Sequence, residues 1–204
     1  AELATVIAEA GRRGLADLEG SHLLLSGEAI REREEPWDQF KVTTVLQAAI
    51  IAVRSTAEAF FGRREVSFEC RFSGNMYIAC RRHDLTRAFI NIFRNTYDAY
   101  GAAGGQVLVT ARWEREPHSA VRSRRAIIEV VDNGAGIRAG DLPRLYEVGF
   151  TTHTGEHRGH GLKVARRIVR EHQGTMDIVS PLSVAQQGTR VTIVIPEKQE
   201  KGGM

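Results

Sequence analysis

A two-layer α/β sandwich, one sheet carrying helices on a single face, is the fold class this sequence predicts. Three observations lead there. Segments with apolar residues at helical spacing are interspersed with segments in which apolar and polar residues alternate one by one. Their order, two strands, helix, two strands, long loop, helix, two strands, fits helices packed on one sheet. At 204 residues and 42% hydrophobic content, the chain is long enough to bury a core between the layers. The spacings show no internal repeat.

The elements follow in chain order. Residues 1–36 read as a helical segment rich in Ala, Leu, Glu and Arg, closed by Pro36 after the charged run REREE. The chain starts without Met in what reads as mid-helix, so it is expected to be part of something longer. WDQFKV at 37–42 reads as a short extended piece. Leu46, Ile50, Val53, Ala57 and Phe60 then mark the apolar face of a strong helix, with Gly62 placed to stop it. VSFECRF at 66–72 and NMYIAC at 75–80 both alternate and predict a hairpin. A helix over 83–100 turns Leu85, Phe89, Ile92 and Phe93 inward, with Asp84 suited to its N-terminus. QVLVTARW and AIIEVVD predict two strands joined by the basic loop 114–125. An irregular stretch, 138–158, precedes a helix over 160–173 with Leu162, Ala165, Ile168 and Val169 on one face and Gly174 at its end. TMDIVS and TRVTIVIP close a domain running from 37 to 197, and 198–204 reads as a frayed tail.

Composition excludes several classes. No stretch approaches the roughly 18 uninterrupted apolar residues of a membrane span. The N-terminus AELATVIAEAGRR is amphipathic, unlike a signal peptide. A cytoplasmic location is the expectation, in a parent chain that itself can be membrane-anchored. The 28 basic and 25 acidic residues nearly balance, which argues against a nucleic-acid partner. Cys70 and Cys80 lie in segments that can neighbour one another, so a disulfide is geometrically open; two buried free thiols in a reducing compartment fit better. No Cys/His spacing matches a zinc site.

Asn91 and Asn95 lie four apart on a helix and share one face. Amide oxygens are hard, neutral ligands suited to Mg²⁺; the alternative is an exposed face with two chance asparagines. Asp132 follows the strand IIEVV, where a strand delivers a side chain to a site. Gly134 and Gly136 allow close backbone approach there, although Asp-Asn-Gly is also a plain turn sequence. Gly159 and Gly161 open a helix whose N–H groups and dipole can face phosphate oxygens.

The strings NIFRNTYDAY at 91–100, DNGAGI at 132–137, GFTT at 149–152 and GHGL at 159–162, followed by Gly188-Thr189, resemble in this order the boxes of the GHKL ATP-binding superfamily. The closest resemblance is to the catalytic domain of sensor histidine kinases. It implies a Bergerat-type sandwich with a mixed sheet, and ATP and Mg²⁺ as cofactors. It implies Asn95 as the metal ligand, Asn91 as its partner one turn earlier, Asp132 as the adenine acceptor, and a Thr189 hydroxyl that supports Asp132. Gly134, Gly136, Gly159, His160, Gly161 and Leu162 fall in the glycine boxes. Phe150, Thr151 and Thr152 flank a lid, though Phe150 fits a core position equally well. Arg158 is the forked cation of that lid suited to phosphate. Lys163 stands where a third glycine is usual, and either meets phosphate or points to solvent. Thr96 replaces a usual Ala.

Hydrolysing members of the superfamily carry Glu at the position of Asn91, as a base for water. Asn cannot take a proton, so the resemblance points to phosphoryl transfer. The implied acceptor is a His on a dimerisation helix of the same or a partner subunit, with a response regulator downstream and a homodimeric full-length protein. Residues 1–36 are then the remnant of that hairpin. His22 is the only upstream candidate acceptor and lacks the acidic, Arg and Pro neighbours of the family signature. Two other readings stay open: a serine kinase of the anti-sigma type, and a non-catalytic nucleotide-binding interaction module.

Overall fold

The computed structural model describes residues 36–61, 65–100, 104–115, 123–145, 161–183 and 186–197. Strand β1 (Asp38–Lys41) leads directly into helix α1 (Val42–Phe61). Strands β2 (Val66–Phe72) and β3 (Tyr77–Cys80) precede helix α2 (Arg82–Ala99). Strands β4 (Gly105–Arg115) and β5 (Arg124–Asp132), a short 3-10 turn at Leu142–Arg144, helix α3 (Gly161–Glu171) and strands β6 (Thr175–Val179) and β7 (Thr189–Pro196) complete the order. The expected segment 1–35, the stop at Gly62 and the tail 198–204 lie outside the described residues.

Five strands form one mixed sheet in the order β2-β4-β5-β7-β6, with β2 parallel to β4 and every other pair antiparallel. Alternation divides each strand between two faces. Val107, Val109 and Ala111 of β4, Ala126, Ile128 and Val130 of β5, and Val191, Ile193 and Ile195 of β7 are buried in one core. The helices supply the other half of it. Val45, Leu46, Ala49 and Val53 of α1, Leu85, Phe89 and Phe93 of α2, and Ala165, Ile168 and Val169 of α3 all turn inward. Phe89 and Phe93 are fully buried with ring centroids 6.2 Å apart, and each contributes about 2–3 kcal/mol by leaving water. The opposite face carries charge, including the Arg112–Glu129 pair at 2.9 Å.

The predicted hairpin of 66–72 with 75–80 does not form. β2 runs parallel to β4 from Val66↔Gly105 to Phe72↔Ala111, while β3 pairs antiparallel with β1 in a separate two-stranded ribbon. Alternation fixes which side chains face the core and says nothing about which strand lies alongside. Here Phe68 packs on Phe93 and Tyr97 of α2, which places β2 at the sheet edge. The ribbon is anchored instead by the Val42 N–H donating to the Met76 carbonyl at 2.8 Å.

Two further expectations are corrected. Cys80 is buried, but Cys70 on the edge strand is exposed, and neither is in a disulfide. The basic loop is shorter than 114–125, because Glu114, Arg115, Arg124 and Arg125 belong to strands. Glu114 stands directly opposite Arg125 and pairs with it, and Arg124 pairs with Glu197. Opposite charges across an antiparallel pair extend the ladder.

Candidate functional site

Helix α2 carries the first set of predicted residues. Asn91 and Asn95 are both half-buried, and Ala99 continues their line one turn further. A methyl built on Gly161 would lie 3.4 Å from Asn91 Oδ1, so the start of α3 rests against the first asparagine. At the far end the Ala99 carbonyl accepts the Ala135 N–H at 3.0 Å. A methyl built on Gly134 would meet Ala99 Cβ at 2.7 Å. Asn95 therefore sits between the first turn of α3 and the loop after β5. Amphipathic spacing produces this arrangement: Ile92, Phe93 and Thr96 face the core, and the Asn line borders it. Thr96 is buried in place of the usual small residue because its hydroxyl bonds back to the Phe93 carbonyl at 2.7 Å.

Asp132 ends β5 and is 5% exposed. Its Oδ1 accepts the Gly134 N–H at 2.9 Å and the Thr189 N–H at 3.2 Å. Burial pushes its carboxyl above the usual carboxylate range, and the two N–H bonds oppose that shift. The predicted support from the Thr189 hydroxyl is corrected: the backbone N–H supplies it, and the hydroxyl donates to Ser180 Oγ at 3.3 Å. Gly188, at φ +116°, leaves a built methyl only 2.2 Å from the Asp132 carbonyl oxygen, so β7 joins β5 where only glycine fits. Gly136, at φ +74°, faces Gly188 across the same gap. The neighbouring Asn133 accepts the Gln106 N–H at 2.8 Å, which ties the loop to the start of β4.

Leu162 packs against the core, and Lys163 is exposed to solvent. Phe150, Thr151, Thr152, Arg158, Gly159 and His160 lie outside the described residues. The described residues thus bring Asn91, Asn95, Gly134, Gly136, Asp132, Gly161 and Thr189 together along the C-terminal half of α2. Among them no cluster of three or more His, Cys, Asp or Glu can hold a metal. Two neutral amides suit a hard ion that arrives with phosphate oxygens and keeps its waters.

Sequence reasoning missed Ser180, which bonds to residues of two loops around Asp132. A lone Ser at a strand end carries no signal of its own. It also missed a joint at the other end of α3, where His172 is fully buried. Its Nδ1 lies 2.7 Å from the Ile168 carbonyl and its Nε2 accepts the Arg81 N–H at 3.1 Å. Arg81 bridges Asp84 and Glu171 and lies over the Trp37 ring.

Comparison with known proteins places the chain in a family. Residues 80–199 match the family described as histidine kinase-, DNA gyrase B-, and HSP90-like ATPase. Sporulation kinase B of Bacillus subtilis (strain 168) is 27% identical over 151 residues, covering 74% of this chain and 32% of that protein. The sensory histidine kinase/phosphatase NtrB of Rhizobium meliloti (strain 1021) is 27% identical over 176 residues, covering 83% and 44%. Sensor histidine kinase ZraS of Escherichia coli O157:H7 is 34% identical over 112 residues, covering 55% and 22%. The chain thus spans less than half the length of these relatives. The solved mycobacterial sensor histidine kinase MprB superposes with a TM-score of 0.62 at 20% identity, covering 81% of this chain and all of that one. The catalytic domain of histidine kinase ThkA superposes equally well, at 17% identity over 80% of this chain and 97% of its own. No described helix is long and apolar enough to cross a membrane. With more than half of its residues inside the family match, this chain belongs to the histidine kinase-, DNA gyrase B- and HSP90-like ATPases.

Proposed function

We propose that the chain is the ATP-binding catalytic part of a sensor histidine kinase, working in the cytoplasm on a His imidazole outside these 204 residues. Bound Mg-ATP would supply the phosphoryl group and the charge neutralisation its transfer needs. Asp132 accepts from the adenine amino group with Oδ2, the oxygen its two backbone donors leave over. Asn95, with Asn91 beside it, contributes an amide oxygen to the metal. The first turn of α3, starting at Gly161, presents N–H groups to phosphate oxygens. Gly134 and Gly136 keep their loop close to the base. Phe150, Thr151, Thr152, Arg158, Gly159 and His160 are assigned to the lid and phosphate loop. Leu162 anchors the start of α3 in the core.

The observation that carries the choice of transfer over hydrolysis is Asn91 against Gly161. That is the position facing the phosphate end of the site, and its amide has no basic atom to take a proton from water. The chain's own contribution is positioning and charge complementarity. With Mg-ATP alone the 204-residue chain is expected to bind nucleotide saturably, hydrolyse it very slowly and acquire little acid-labile phosphate. A helical hairpin bearing the acceptor His, added in trans, is expected to become labelled. Rapid phosphate release, or robust self-labelling abolished by His22→Ala, would contradict this assignment.

A further inference from the structure

Ser180 follows β6 and is 5% exposed. Its Oγ accepts the Ile137 N–H at 2.7 Å, accepts the Thr189 hydroxyl at 3.3 Å and donates to the Gly188 carbonyl at 2.8 Å. A hydroxyl has one proton to give and two lone pairs to offer, so every capacity is used. The three partners come from two loops. Ile137 ends the segment that begins at Asp132, and Gly188-Thr189 opens β7. These same two loops supply both hydrogen bonds to Asp132 Oδ1. They are already in contact: a methyl on Gly136 would lie 3.0 Å from Ser180 Oγ and 3.2 Å from the Gly188 carbonyl oxygen.

We propose that Ser180 is a positioning residue for base recognition. It holds the two loops at the separation at which Gly134 and Thr189 both reach Oδ1, and so aims the other carboxylate oxygen of Asp132 at the base. The role rests on the nucleotide reading above. Among the described residues, Ser180 acts only through Ile137, Gly188 and Thr189. The Thr189 N–H is the longer of the two bonds to Asp132, at 3.2 Å, and is the one its removal would release. A carboxylate held by one donor turns more freely, and a fixed acceptor for an exocyclic amine is lost. The Asn91–Asn95 face and the start of α3 have no bond to Ser180, so phosphate contacts are spared. Base preference therefore falls along with affinity, which a purely structural serine would not cause.

The test titrates the 204-residue chain with Mg-ADP, and with Mg-GDP in competition. Ser180→Ala is expected to weaken ADP roughly tenfold or more and to narrow the ADP-over-GDP preference several-fold. Ser180→Cys keeps the shape with weaker bonds, so it gives an intermediate loss and serves if the Ala variant does not fold. Thr56→Val is the control for general destabilisation, since that hydroxyl bonds the Ala52 carbonyl within α1 at 3.0 Å. It is expected to leave the preference unchanged. An unaltered ADP-to-GDP ratio in both Ser180 variants, whatever their stability, overturns the role. Absence of saturable ADP binding by the unmutated chain overturns the nucleotide reading itself, and this role with it.

Discussion

At the scale of single residues, Asp132 sets stability against recognition. Its carboxyl is raised by burial, so the ionised form that would meet an amine is the form the fold tolerates less well. The sign follows directly: with the folded value above the ordinary 3.8, stability from this group falls as pH rises through that window. Asp132→Asn keeps an acceptor for the Gly134 and Thr189 N–H groups and removes the charge. The variant is expected to melt at or above the unmutated temperature without nucleotide, yet to lose about 2 kcal/mol or more of adenosine-nucleotide affinity, because its amide donor would face the amine. Calorimetry alongside thermal melts checks both halves; a lower melting point with retained binding would contradict the assignment. Asp132 was legible in sequence because its loop, Asp-Asn-Gly-Ala-Gly, is written in consecutive residues. Ser180 was not, because its partners Ile137, Gly188 and Thr189 meet it only after β5 and β7 pair.

At the scale of elements, the helices were legible and the strand partners were not. Helical spacing is a local property, and the described apolar positions of α1, α2 and α3 reached the core as predicted, while the side chain of Phe60 lies outside the described residues. Strand pairing depends on chain segments far apart, so β2 and β3 alternated as expected but joined different sheets. The joint between the end of α3 and the start of α2 was likewise invisible. There His172 is held neutral, with Nδ1 donating to Ile168 and Nε2 accepting from Arg81. Burial lowers its pKa, the bond to the Ile168 carbonyl opposes this, nearby Arg81 lowers it further, and Asp84 and Glu171 raise it. A lowered folded value means the stabilisation is complete above the unfolded value of 6.5 and is lost as pH falls below it. Thermal midpoints taken from pH 7.5 to pH 5 are expected to fall less steeply in His172→Gln than in the unmutated chain. Parallel curves would show that this imidazole does not report on pH.

At the scale of the whole molecule, the C-terminal half of α2 gathers residues from four separated stretches of sequence, so a ligand there binds only the folded chain. Mg-ADP at about 100 times its dissociation constant is expected to stabilise by about 2.7 kcal/mol, which is roughly 5–10 °C in melting temperature for a domain of this size. A melting curve unmoved by saturating Mg-ADP would argue against a nucleotide site. The two-layer class was readable from the order of elements, and the mixed sheet came from resemblance; the sheet's strand order required the three-dimensional pairing. That order has a kinetic consequence. β2 meets β4 across residues 73–104, whereas β5 meets β7 only across the longer stretch 133–188. Closing the longest connection costs the most entropy before any ladder bond repays it, so the β7-β6 edge docks onto β5 late in folding. The amides bonded across β5 and β7 should be the last of the sheet to gain protection from solvent exchange.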